Sequence, residues 1–279
     1  MSFLLAVTFL TVIPLRRGAQ YEHPALGRAM LWFPVVGLLI GGAVCGALLL
    51  AAQVLPGMLP EIVAVVFLVG LTGALHLDGL ADTFDGIFGG RDRASRLRIM
   101  RDTGIGAYGL AAVVCAVLLK VGAFEALGTL GRTSWASQLA AAGRRAWLPE
   151  AFGHRWVQVA VVGLMPVWGR WTMTLAAGVG PYARPEGGVG AVFVERMSVV
   201  ESAVLALIPF GLAGFLLGWA GVLAGAVMVL VSVPVLLWWR GKLGGVTGDV
   251  MGALGELAEM AFVLAALILL PAATRGLPY

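Results

Sequence analysis

Charged residues are scarce in this chain, and that scarcity limits what the protein can be. Asp, Glu, Lys and Arg make up 12% of the 279 residues, whereas hydrophobic residues make up 60% and the mean hydropathy is +0.94. Soluble globular domains carry about 25% charged residues. The composition therefore excludes a soluble globular domain and predicts an integral membrane protein. At ~20 residues per span, the length suits about seven transmembrane helices in one membrane domain over residues 1–279.

Cysteine is also scarce, with only Cys45 and Cys115. Both fall inside apolar segments, so the sequence predicts neither a disulfide framework nor a cysteine-based metal site, and we expect both to pack in the core. The net charge is only +4, and no pattern of basic and aromatic residues indicates nucleic acid as a partner. Membrane lipid headgroups are the expected partners of the basic residues.

Apolar runs predict an all-α, polytopic transmembrane bundle of about seven spans. Their approximate ranges are 31–54, 61–80, 107–128, 156–179, 202–217, 219–239 and 255–272. Glycine is abundant within them, as at Gly37, Gly41 and Gly42. In a membrane bundle such glycines usually allow helices to approach closely, so we expect them to serve packing.

The first 15 residues form a shorter apolar segment that cannot span a bilayer. Arg16 and Arg17 follow this segment instead of preceding it, which argues against a cleaved signal peptide. The sequence predicts an interfacial or re-entrant helix that ends at Pro14.

Basic residues predict the orientation of the bundle, because short cytoplasmic loops are rich in Lys and Arg. With the N-terminus in the cytoplasm, seven spans place residues 1–30, 81–106, 180–201 and 240–254 on the cytoplasmic side. These segments hold twelve of the nineteen Lys and Arg residues, and the opposite side holds five. The longest polar stretch, 129–155, predicts a loop or a surface helix.

The segment from His76 to Gly86 reads His-Leu-Asp-Gly-Leu-Ala-Asp-Thr-Phe-Asp-Gly. In a helix, Asp78, Asp82 and Asp85 stand at i, i+4 and i+7 and share one face. Such a cluster is stable only when the carboxylates share protons or surround a cation, and oxygen ligands alone favour Mg²⁺ or Mn²⁺ over zinc. The sequence predicts a divalent-metal site there, with His76 as a hydrogen-bonded residue behind it.

A run of arginines follows the acidic motif. Its members are Arg91, Arg93, Arg96, Arg98 and Arg101. One interpretation is an anchor on anionic lipid headgroups. The other is a diphosphate site, because metal ions bridge phosphate oxygens while guanidinium groups neutralise their charge. Arg98 and Arg101, which are close to Asp102, are the stronger candidates for binding a diphosphate.

Two later segments add polar residues to the predicted cytoplasmic face. Arg170 falls within a span, where an unpaired guanidinium costs at least ~2.5 kcal/mol, so it needs a polar cavity, a carboxylate or the interface. We favour Arg170 as a substrate ligand. Thr247 and Asp249 follow Gly244 and Gly245 in a turn that suits either a helix cap or a phosphate cradle.

These motifs together resemble the cobalamin synthase family, the adenosylcobinamide-GDP ribazoletransferases. The resemblance spans the whole chain, and Arg101 stands where the family pattern would have Lys. It is carried by Phe9–Pro14, His76–Gly86, Gly89-Gly90, Arg96, Ile99–Asp102, Ile105–Gly109, Gly169–Trp171, Pro181–Arg184 and Thr247–Gly252.

The resemblance implies a Mg²⁺-dependent enzyme of the bacterial inner membrane, with its active face in the cytoplasm. Its implied substrates are adenosylcobinamide-GDP and α-ribazole or α-ribazole 5′-phosphate, and it releases GMP. On this hypothesis Asp78, Asp82 and Asp85 hold Mg²⁺ against the diphosphate. Asp102, or a metal-free member of the cluster such as Asp82, is the candidate base, because neighbouring anions raise a carboxylate's proton affinity.

Two other interpretations stay open from the residues. A CDP-alcohol phosphotransferase or a prenyltransferase also uses Asp-rich helices and Mg²⁺, although the spacing here differs from the CDP-alcohol pattern. A cation transporter could also place carboxylates in a bundle, although its sites usually lie at the bilayer midplane. The sequence leaves the oligomeric state open, and a homo-oligomer is compatible with it.

Overall fold

The computed structural model describes residues 2–15, 23–130 and 152–275, and its regular elements in these ranges are helices. This confirms the all-α prediction. The helices are α1 (Ser2–Leu10), α2 (His23–Ala29), α3 (Phe33–Val54), α4 (Leu59–Thr72), α5 (Leu75–Gly89), α6 (Arg93–Ile99), α7 (Ala107–Leu130), α8 (Trp156–Gly178), α9 (Val189–Val194), α10 (Val199–Leu205), α11 (Leu207–Leu243) and α12 (Gly248–Arg275). Short 3₁₀ turns at Met30–Trp32 and Gly153–Arg155 precede α3 and α8.

The helices confirm a polytopic membrane protein. Within the described ranges, five helical stretches are long and apolar enough to cross a bilayer, and six are if the bent pair α4 and α5 counts as one span. The five are Leu26–Val54, Ala107–Leu130, Trp156–Gly178, Val199–Leu243 and Gly248–Pro271. Most of the predicted stretch 129–155 lies outside the described residues.

The predicted single helix over 61–80 is wrong, because the chain breaks between α4 and α5. Gly73 and Ala74 both adopt the left-handed conformation, with φ of 59° and 57°. The Gly73 N–H donates a hydrogen bond to the Gly70 carbonyl, and the Ala74 N–H donates to the Val69 carbonyl at 2.9 Å. These bonds end α4 in the manner of a glycine C-cap. The two helices meet at 86°, so the acidic motif occupies a helix of its own.

A second break, at Gly218, divides α11. Gly218 has φ 66° and ψ −155°, which are not helical. A Cβ placed on Gly221 would lie 2.6 Å from the carbonyl oxygen of Ala213, whereas eight residues of straight helix span about 12 Å. The chain therefore folds back at Gly218, which confirms the predicted separation of 202–217 from 219–239.

Helix α8 lies at the centre of the bundle and is the most deeply buried of the long helices, with α3 and α12 packed against it. The Cα atoms of Gly37 and Gly41 face the backbone of α8 so closely that a Cβ would overlap it, which confirms the packing role predicted for these two. Gly42 faces open space, so the prediction for it is wrong. The predicted N-terminal helix is present as α1, but it ends at Leu10, before Pro14.

Candidate functional site

A cavity of about 290 Å³ opens where the first turns of α5 and α12 meet the segment from Tyr182 to Gly190. Asp78 of α5 and Asp249 of α12 both line it. The two helices approach closely there, because a Cβ on Gly79 would lie 2.8 Å from the Asp249 carbonyl oxygen. Helix N-termini carry partial positive charge and free N–H groups, so this cavity suits an anion.

The three aspartates of α5 have three different environments. The Asp78 side chain is exposed and lines the cavity. Asp82 is partly buried, and the negative charges of Asp249 and Asp78 act on it most strongly among its charged neighbours. Asp85 is buried and faces α7. The sequence placed all three on one helix, as the structure confirms, but their contacts separate them.

Asp85 holds the start of α7 in place. Its two carboxylate oxygens accept hydrogen bonds from the backbone N–H groups of Gly106 (2.7 Å) and Gly109 (2.9 Å). A Cβ on either glycine would collide with this carboxylate. These contacts favour a positioning role for Asp85 over the predicted role as a metal ligand.

The donor set at the cavity fits Mg²⁺ with a bound phosphate. Among the described residues, no three His, Cys, Asp or Glu side chains are grouped closely enough to hold a metal ion by themselves. Mg²⁺ is usually held by one or two carboxylates together with substrate phosphates. Asp78 and Asp249 line the same cavity, and these two carboxylates provide that number of ligands.

Arg184 joins the site through a short backbone pairing. The Ala183 N–H donates to the Val246 carbonyl and the Val246 N–H to the Pro181 carbonyl, both at 2.9 Å. This pairing places Arg184 against Asp249, and the guanidinium Nη2 lies 2.6 Å from Asp249 Oδ2. Sequence analysis quoted Arg184 within a family motif without giving it a role.

Tyr182 completes this side of the cavity, whereas Thr247 is buried just before α12 and does not line it. The Thr247 hydroxyl accepts a hydrogen bond from the Val250 N–H (3.2 Å), so Thr247 caps α12, the role that the sequence offered for Asp249. This contact favours a capping role for Thr247 over the predicted contact with the diphosphate. Tyr182 lines the cavity, and burial raises the pKa of its phenol above the ordinary value. The phenol therefore stays protonated at neutral pH and can donate a hydrogen bond. Tyr182 lies in the same family motif, and the sequence gives it no role either.

The predicted arginines and Asp102 lie outside the set of residues that line this cavity. Arg98 and Asp102 are exposed, and Asp102 accepts a hydrogen bond from the Gly104 N–H at 3.4 Å. Arg101 forms an ion pair with Glu186, which belongs to the segment beside the cavity. Arg101 is thus at the rim, while Arg98 and Asp102 have no contact with the aspartates of α5 among the described interactions.

Arg170 is buried in a network of ion pairs instead of facing the cavity. Its Nη1 pairs with Glu259, which also accepts from Lys120 at 2.6 Å. A partner carboxylate was one of the three environments predicted for Arg170, and the ion pair with Glu259 confirms it. Direct contact with substrate does not follow from this position. His76 lies between Arg170 and the cavity, with Nδ1 3.4 Å from Arg170 Nη2.

Comparisons with known proteins match nearly the whole chain. The family of cobalamin-5-phosphate synthases matches residues 2–267. A protein of Acetivibrio thermocellus is 33% identical over 261 residues, covering 94% of this chain and 95% of its own. A protein of Pseudomonas paraeruginosa is 37% identical over 272 residues, covering 95% and 96%. Both relatives bear the name adenosylcobinamide-GDP ribazoletransferase. No solved structure matches the chain.

Proposed function

The chain belongs to the cobalamin-5-phosphate synthase family, and on that premise we propose that it joins adenosylcobinamide-GDP to α-ribazole or α-ribazole 5′-phosphate and releases GMP. One structural observation carries the proposal. The N-termini of two long helices converge, with two carboxylates and an arginine, on one cavity of a size suited to a diphosphate and its metal. The relatives' names favour this reaction over a CDP-alcohol phosphotransferase, a prenyltransferase or a cation transporter.

The diphosphate of the cobinamide nucleotide binds, in this proposal, at the N-termini of α5 and α12. Backbone N–H groups at these ends and the guanidinium of Arg184 neutralise its oxygens. Arg101, at the rim, contacts the outer part of the nucleotide, for which the Arg101–Glu186 pair must open. Asp78 and Asp249 already bring negative charge to these helix ends. A cation must therefore neutralise them before the negatively charged diphosphate binds.

Mg²⁺ is the proposed cation, and Asp78 and Asp249, which line the cavity, are the residues that would hold it, while Asp82 stays free of the metal. When bound, the ion supplies charge neutralisation on the diphosphate oxygens and on the departing phosphate. Arg184 holds the Asp249 carboxylate in a fixed orientation through its 2.6 Å contact. Asp85 acts further away by fixing the start of α7.

The transfer exchanges one phosphorus–oxygen bond for another. A ribazole hydroxyl oxygen bonds to the phosphorus attached to cobinamide, and the bond from that phosphorus to the bridging oxygen breaks, so GMP leaves with that oxygen. The hydroxyl proton passes to a carboxylate. We favour Asp82 over Asp102 as this base. Neither residue lines the cavity, but Asp82 stands one helical turn after Asp78 and is influenced by the charges of Asp249 and Asp78, whereas Asp102 is exposed.

The same proposal places the protein in the bacterial inner membrane with the cavity open to the cytoplasm. The distribution of Lys and Arg supports this orientation, since the segments around the cavity belong to the basic side of the bundle. Lipid headgroups are the proposed partners of exposed arginines such as Arg98.

GMP release by the purified protein tests the reaction. The assay supplies adenosylcobinamide-GDP with and without α-ribazole 5′-phosphate, and with Mg²⁺ or EDTA. We expect release that needs both acceptor and metal and that falls at least ~100-fold in Asp82→Asn. Release without acceptor would indicate hydrolysis, and turnover of CDP-diacylglycerol or prenyl diphosphate would favour the other transferases. Full Mg²⁺-dependent activity in Asp82→Asn would remove Asp82 from the site.

A further inference from the structure

Five buried polar side chains from four helices form a connected network that ends at the cavity. Lys120 of α7 donates to Glu256 Oε2 (2.7 Å) and Glu259 Oε2 (2.6 Å) of α12. Glu259 pairs with Arg170 of α8, and Arg170 contacts His76 of α5. Each of the five is at most 5% exposed. Two cationic and two anionic side chains balance one another, so the network needs no other counter-ion.

The network decides which nitrogen of His76 carries the proton. A guanidinium has only donors, so His76 Nδ1, at 3.4 Å from Arg170 Nη2, must present its lone pair. A neutral imidazole has one donor and one acceptor nitrogen. The His76 proton therefore resides on Nε2.

The Nε2–H group has no acceptor among the described residues. Nε2 is buried and makes no hydrogen bond. The His76 residue as a whole is 2% exposed and belongs to the cavity wall. An unsatisfied buried donor is costly, and proteins retain few of them. Nε2 itself has almost no surface open to the cavity, so a ligand atom that accepts its hydrogen bond must displace part of the cavity wall at His76.

The location of His76 indicates the chemistry of that ligand atom. His76 is the second residue of α5, at a helix N-terminus that favours negative charge. A neutral N–H donor beside this terminus suits an anionic oxygen. The nearby Arg184 has the same preference.

We propose that His76 Nε2–H donates a hydrogen bond to a phosphate oxygen of the substrate, and that Arg170 is a positioning residue that holds this tautomer through Nδ1. Naming the oxygen as part of the cobinamide nucleotide diphosphate rests on the proposed function. His76 then acts as a fixed donor and not as a general base, because neither nitrogen is free to take up the attacking hydroxyl's proton.

Two substitutions separate donor function from packing. The amide nitrogen of a glutamine can reach the place of Nε2, whereas that of an asparagine reaches only the place of Nδ1. We expect His76→Asn to raise the KM for adenosylcobinamide-GDP about tenfold to hundredfold more than His76→Gln does, with a smaller effect on kcat. Equal KM values in the two variants would overturn the proposed hydrogen bond. If His76 only supported the fold, the variants would lose folded enzyme, which lowers the apparent kcat and leaves KM unchanged.

Nitrogen NMR tests the tautomer without relying on activity. The chain has three histidines, so ¹⁵N-histidine labelling of a His23→Gln/His154→Gln protein in nanodiscs leaves the His76 signals alone. We expect a pyridine-type Nδ1 and a pyrrole-type Nε2, and a shift of the Nε2–H signal on adding adenosylcobinamide-GDP or inorganic pyrophosphate. A protonated Nδ1, or an Nε2 signal unchanged by saturating nucleotide, would overturn the proposal.

The two failures can be told apart. If the wild-type protein releases no GMP but pyrophosphate shifts Nε2–H, the anion site stands and the assigned reaction is wrong. If GMP is released and Nε2–H does not respond to either ligand, the reaction stands and the role of His76 is wrong.

Discussion

Asp85 and Asp82 stand three residues apart on α5, but Asp85 stabilises the fold whereas Asp82 is proposed to act in the reaction. Asp85 accepts hydrogen bonds from two backbone N–H groups at the start of α7, whereas Asp82 is influenced by the negative charges of Asp249 and Asp78 at the cavity. We expect Asp85→Asn to destabilise the fold by about 1–3 kcal/mol, because the amide NH₂ would face one of those N–H groups. Thermal unfolding in detergent measures this loss.

Asp82→Asn is the matched control for Asp85→Asn, since it removes one charge from the same helix. It should leave the melting temperature within a few degrees of the wild type while activity falls. A melting temperature in Asp85→Asn equal to that of Asp82→Asn would contradict the positioning role of Asp85.

A second expected outcome concerns Arg184. Substitution Arg184→Gln removes the charge that orients Asp249 and contacts the diphosphate in the proposed mechanism. We expect the Mg²⁺ concentration for half-maximal activity and the KM for adenosylcobinamide-GDP both to rise, the latter about tenfold or more. Initial rates over a Mg²⁺ series measure both, and a change in kcat alone would contradict the contact.

Asp78, Asp82 and Asp249 could be proposed as site residues from the sequence, because helical spacing and a Gly-rich turn are local patterns. Sequence analysis gave no role to Arg184 and Tyr182, since their position depends on the pairing of 181–183 with Val246, which only the folded chain creates. It assigned Arg170 to substrate, because the cost of a buried charge requires a partner but does not say which one. Glu259, the actual partner, was not considered.

Among the helices, the contact between α3 and α8 depends on two glycines. A Cβ on Gly41 would overlap the backbone of Gly163, and one on Gly37 would overlap that of Pro166. We expect Gly41→Ala to lower the melting temperature by several degrees, because backbone atoms cannot move aside cheaply. Gly42→Ala is the control, since Gly42 faces open space one residue away. Equal melting temperatures for the two variants would show that the helices are not in close contact.

The break between α4 and α5 shows a limit of hydropathy. Residues 61–80 read as one apolar span, because hydropathy averaged over the segment does not register the glycine at position 73 as a break. The break needs Ala74 in the left-handed conformation, which alanine seldom adopts and which tertiary packing must impose. The break at Gly218 was predictable, because glycine adopts positive φ without penalty.

Across the whole bundle, the network of Lys120, Glu256, Glu259 and Arg170 connects α7, α8 and α12. Removing one member leaves uncompensated charge in the interior, at a cost of about 3–5 kcal/mol. We expect Lys120→Met to unfold at lower temperature, and Lys120→Met/Glu256→Gln to recover part of that stability. A double variant no more stable than Lys120→Met would mean that the charges are not coupled, and denaturation in detergent distinguishes these results.

The orientation of the molecule gives a prediction that depends on every span at once. The predicted topology places residues 1–30 and 240–254 on the cytoplasmic side. Since α3 crosses the membrane after residues 1–30, the loop before α4 faces the opposite side. We therefore expect a membrane-impermeant maleimide to label Met58→Cys in spheroplasts and Lys242→Cys only after lysis; both residues are exposed. The background carries Cys45→Ala and Cys115→Ala. Reversed labelling would place the cavity outside the cytoplasm, where nucleotide substrates are absent, and so would contradict the proposed reaction together with the orientation.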